Sequence, residues 1–133
     1  QHAELFYPAL NRMAAELIAQ AGRADWPGFN PEDSAGVRQN LDRKVRGDPD
    51  FWSVVGMAEL SVYEALAAKA LAAQLPAILA AYEDLHSRAG SAWMWASVAD
   101  QAGFVLGRFG AGASGEAKAA KQLLGMLREY AGR

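Results

Sequence analysis

The chain has 133 residues, 52% hydrophobic and 21% charged, with 15 acidic and 13 basic side chains and no cysteine. This is the composition of one soluble globular domain with a real core, not of a disordered segment, and without thiols neither disulfides nor thiolate metal sites are available. A net charge of −2 gives no electrostatic ground for nucleic acid or an anionic membrane as partner, and no apolar run approaches the ~20 residues of a membrane span.

Alanine-rich runs such as "YEALAAKALAAQLPAILAAY" (63–82) and the lack of period-2 alternation predict an all-α protein of about six helices. The first runs from about Pro8 to Ala21 and stops at Gly22, with Leu10, Met13, Ala14, Leu17, Ile18 and Ala21 as its apolar stripe. Asn30 and Pro31 open the second, which ends near Gly47 and offers chiefly Val37, Leu41 and Val45; it reads as a surface helix. For the third, Asp48 is the expected cap and Pro49 the first residue, with Phe51, Val54, Val55, Ala58, Val62 and Leu66 on one face. A break is expected near Ala67–Leu71, although no glycine is there. Pro76 then stands in the first turn of a fourth helix or kinks a longer one, which shows Leu75, Ile78, Leu79, Tyr82 and Leu85 and reaches about Arg88. The fifth, capped by Ser91 and ending at about Phe109, is apolar nearly all round and is expected to be buried on several sides. Ser114 caps the sixth, with Ala117, Ala120, Leu124, Leu127 and Ala131 inward and Lys118, Lys121, Arg128 and Glu129 outward.

Two of these helices open alike. Trp52, Gly56, Ala58, Glu59 and Tyr63 align with Trp93, Ser97, Ala99, Asp100 and Phe104 at a constant offset of 41, and Tyr7 and Asn11 match Trp52 and Gly56 more loosely at 45. Self-similarity at this period is the mark of stacked helical hairpins, in which each pair buries its face on the next. The expected architecture is therefore a short right-handed α-solenoid of antiparallel helical hairpins, spanning residues 1–133 as one domain. In such an array the repeated openings would do the same packing job. Its ends expose apolar surface unless capped, so self-association is expected. Beginning at Gln1, almost inside a helix, the chain is expected to be a fragment of a larger, cytoplasmic, multidomain protein.

The stretches "FYPALNRMAAEL" (6–17), "DFWSVVGMAEL" (50–60) and "AAYEDLHSRAGSAWMWASVADQAGFVL" (80–106) resemble, in that order, the tetratricopeptide-like (TRAFs-type) domain in the central regulatory region of apoptosis signal-regulating MAP kinase kinase kinases and of bacterial relatives. The similarity covers about residues 5–109 and consists of packing signatures, not catalytic ones. The order of a plain tetratricopeptide repeat is blurred, and the second helix is atypical. The resemblance implies a scaffolding or regulatory segment of a larger, bacterial signalling or defence protein, with a protein or peptide as partner.

No motif points to catalysis, a cofactor or a metal. His86 lies near a helix end, where a surface or capping role suits it; His2 is the only other histidine, and HExxH is absent. Glycines 107, 110, 112 and 115 of "GRFGAGASG" follow no strand and precede no Gly-Lys-Ser/Thr, so they do not form a phosphate loop. Arg38, Arg43, Lys44 and Arg46 are diluted by Asp42, Asp48 and Asp50 into a solvated face. Glu59 and Asp100 sit mid-helix among apolar neighbours, so both are expected to be at least partly buried. Either each is structural, accepting hydrogen bonds from a neighbouring helix or pairing with an arginine such as Arg12 or Arg108, or both line one recognition groove. Trp52, Glu59, Tyr63, Trp93 and Asp100 are the candidate groove residues; a closed apolar pocket would instead favour a helical bundle that binds a small ligand. Phe51, Tyr82 and Trp95 read as core, and Trp26, in a Pro-Gly loop, as the exposed tryptophan.

Overall fold

Short polar side chains decide where three of the helices begin. The computed structural model describes residues 6–132 and contains α1 (Phe6–Gln20), α2 (Pro31–Gly47), α3 (Phe51–Ala67), α4 (Leu71–Arg88), α5 (Ala92–Phe109) and α6 (Gly115–Tyr130). No strand occurs among the described residues, so the all-α expectation holds. His2 lies outside them.

Asn30 accepts hydrogen bonds from the backbone N–H groups of Glu32 (2.9 Å) and Asp33 (3.1 Å), and Ser114 accepts from that of Ala117 (3.1 Å). Both caps stand where the sequence placed them. The cap of α3 does not. Asp50, not Asp48, accepts from the Ser53 N–H at 2.7 Å, while the Asp50 N–H donates to the Ser53 hydroxyl at 3.0 Å. This reciprocal capping box satisfies two orphan donors at once, which a start at Pro49 would not do. Asp48 instead closes α2: its N–H donates to the Lys44 carbonyl at 2.9 Å. Ser91 occupies the N-cap of α5 but makes no capping side-chain hydrogen bond.

The break between α3 and α4 falls where it was expected. Without a glycine, Lys69 takes the left-handed conformation itself, at φ 57°, a state that costs a non-glycine residue roughly 1 kcal/mol. Ala70 precedes α4 and has no side chain to cap it. A carboxylate from α6 does so instead. Glu116 accepts from the Leu71 N–H at 2.7 Å through Oε1 and from the Ala72 N–H at 3.0 Å through Oε2. Negative charge at a helix N-terminus also suits the macrodipole. Glu116→Ala is therefore expected to lower stability by about 1–3 kcal/mol. Glu116→Gln, left with one acceptor, should lose less. Glu116→Asp keeps the charge but is one methylene short, so it should fall near the alanine variant. Urea titrations of the three variants check this; an unchanged midpoint for Glu116→Ala would remove the proposed cap.

The chain divides into two compact units at Ala68/Lys69. In the first, α1 and α2 both pack against α3 and touch each other. With two helices on it, α3 buries residues around its circumference, among them Phe51, Val55, Ala58, Leu60, Val62, Tyr63 and Leu66. Leu10, Met13, Ala14 and Leu17 of α1 are buried, as are Val37 and Leu41 of α2. Arg38 and Glu64 form a salt bridge from α2 to α3; both are only half-buried, so packing rather than this pair holds the unit together.

In the second unit α6 packs against both α4 and α5. Ala117, Ala119, Ala120, Leu123, Leu124 and Leu127 of α6 are buried, with Leu71, Leu75, Ile78, Tyr82 and Leu85 of α4 and Trp95, Val98, Ala99, Val105 and Leu106 of α5. The buried set of α5 recurs at helical spacing, so this helix buries one face and not its whole circumference. The expectation of all-round burial belongs to α3, not α5. Trp95 anchors the unit: its ring lies 6.3 Å from Tyr82, 5.4 Å from His86 and 5.1 Å from Tyr130, all edge-on, and its Nε1 donates to the Ala89 carbonyl at 3.3 Å. His86 and Tyr130 stack face to face at 3.7 Å. The expected core aromatics Phe51, Tyr82 and Trp95 are all buried.

Candidate interaction surface

The repeat at offset 41 allows matching positions on α3 and α5 to be compared. Trp52 is half-buried, with its ring edge-on to Phe51 at 4.9 Å, whereas Trp93 is 68% exposed. Gly56 is buried and Ser97 exposed. Tyr63 is 2% exposed and Phe104 is 71% exposed. Only Ala58 and Ala99 are buried alike. The two openings therefore do not do the same packing job. The reason lies in the units: α3 is the centre of the first, packed by two helices, while in the second the centre is α6 and α5 lies at its side.

The acids follow the same division. Glu59 is half-buried and accepts a hydrogen bond from the Tyr63 hydroxyl at 3.3 Å, one turn along its own helix. That partner is neither a neighbouring helix nor an arginine. Burial lifts the Glu59 carboxyl from its ordinary 4.5 to about 7, against the opposing pull of the Tyr63 hydrogen bond. Asp100 is exposed, contrary to the expected burial. The matching aromatic differs accordingly: next to the half-buried acid stands a tyrosine with a hydroxyl to donate, and next to the exposed one stands Phe104.

Of the five candidate groove residues, Trp52, Glu59 and Tyr63 thus belong to α3 of the first unit and Trp93 and Asp100 to α5 of the second. Tyr63 presents almost no surface. Trp93 and Asp100 do, and Phe104, absent from that group, joins them on one face of α5. Trp93, Ser97, Asp100 and Phe104 recur at intervals of four, three and four, which aligns them along a single stripe, and all four are exposed. Phe104 occupies the repeat position of Tyr63, but matching positions on α3 and α5 are not matched in burial.

Trp26 is half-buried, not exposed: its Nε1 donates to Glu16 at 3.1 Å and its ring meets Phe29 edge-on at 5.2 Å. The exposed tryptophan is Trp93. Beneath the Trp26 loop, Arg12, Glu16 and Asp33, with Met13, Phe29 and Val37, line a crevice of about 80 Å³. It is charged and small, unlike the closed apolar pocket of some 300–1,000 Å³ that holds a drug-sized ligand. Three of the four basic residues on α2 pair with acids: Arg46 with Asp42 and Lys44 with Asp48, each at 3.0 Å, and Arg38 with Glu64. His86, exposed in the last turn of α4, carries the Tyr130 stack. No group of three or more His, Asp or Glu among the described residues is placed to hold a metal ion, and no helix among them is long and apolar enough to cross a membrane. Compared with known proteins, the chain matches no family model, no curated protein and no solved structure.

Proposed function

We propose that this chain is a protein–protein interaction module, a scaffolding or regulatory segment of a larger signalling or defence protein, and that it acts by binding and not by catalysis. The observation that carries the reading is the α5 stripe. Trp93 and Phe104, 68% and 71% exposed, stand eleven residues apart on one helical face with Asp100 between them. Aromatic side chains dominate the hot spots of protein interfaces, and two exposed on one helical face suit such a role. Six helices of 15–18 residues, all but the first two joined by three to five residues, also support the finer reading as stacked tetratricopeptide-like hairpins. The signalling or defence context rests on the motif resemblance alone.

The test is a photo-reactive phenylalanine analogue placed at position 104, and separately at 93, in cells that express the protein. Ultraviolet light should give a discrete protein adduct from both positions, and none from a control position on the exposed side of α2 such as Gln39. A pattern at 104 and 93 no different from the control would sink the reading.

A further inference from the structure

We draw no further inference here: the strongest candidate, the exposed face of α5 that carries Trp93 and Phe104, belongs to the interaction surface already described, and nothing in the structure shows what covers it.

Discussion

Trp95→Ala is expected to lower stability by about 3–5 kcal/mol, the range for emptying a buried tryptophan site. Trp95 is 0% exposed, and three aromatic rings from two other helices close around it: Tyr82 and His86 of α4 and Tyr130 of α6. Removing the indole leaves a void that those rings can fill only by leaving their present packing, and it takes away the donor to the Ala89 carbonyl. Ala89 is exposed, so its carbonyl can turn to water, and the void is the larger loss. Trp95→Phe keeps a ring in the site and should recover more than half of the difference. Tyr130 reports the same event: burial, then the Glu83 and Glu129 carboxylates, hold its phenol above the ordinary value, and loosening the cluster should bring it down. Guanidinium titrations followed by circular dichroism, with a spectrophotometric titration of the tyrosines, check both points. A loss below about 1 kcal/mol for Trp95→Ala would mean that this cluster does not anchor the second unit.

Glu59→Gln is expected to stabilise the protein at pH 8 by about 1–3 kcal/mol and to leave it unchanged near pH 4. The native carboxyl titrates at about 7, against an ordinary 4.5. The folded state therefore holds this proton more tightly than the unfolded chain does. The contribution of Glu59 is fully present below about pH 4.5, declines as pH rises through 7, and is lost above it. Glutamine cannot ionise, so the variant escapes that decline while its amide oxygen still accepts from the Tyr63 hydroxyl. Glu59→Ala also escapes the charge but removes the carboxyl that accepts from the Tyr63 hydroxyl, so it should gain less than the glutamine variant. Tyr63→Phe removes the one contact that stabilises the charged form and should push the carboxyl higher still. Stability curves from pH 4 to 9 for native and Glu59→Gln decide the matter; parallel curves would mean that Glu59 titrates like a surface carboxylate.

Much of the helix pattern was legible because it is written locally. Asn30 with Pro31, and Ser114, act on backbone groups two or three residues away, so the starts of α2 and α6 follow from those residues. The start of α3 was placed two residues early because "DPD" offers two aspartates. Ser53 decides between them, since only Asp50 stands three residues before a hydroxyl that can donate and accept in return. That signal was in the sequence and was outweighed by the proline. The start of α4 carried no such signal: its cap is Glu116, 44–45 residues away, and no local pattern announces a carboxylate that arrives from another helix.

By itself the sequence determined the helical class, the number of helices, their approximate bounds and the faces rich in apolar residues, because helix propensity, capping and 3.6-residue periodicity depend on near neighbours. It did not determine which apolar residues would meet protein and which would meet water. The repeat gave α3 and α5 the same aromatic, small and acidic positions, and α5 looked the more apolar of the two. Tertiary structure placed α3 between α1 and α2 and left α5 at the side of α6, so Tyr63 is covered and Phe104 is not. Burial depends on how many helices reach a given face, and that number is set by distant segments of the chain. For the same reason two acids at equivalent positions differ in burial: desolvation raises the carboxyl of half-buried Glu59 to about 7, while Asp100 is exposed.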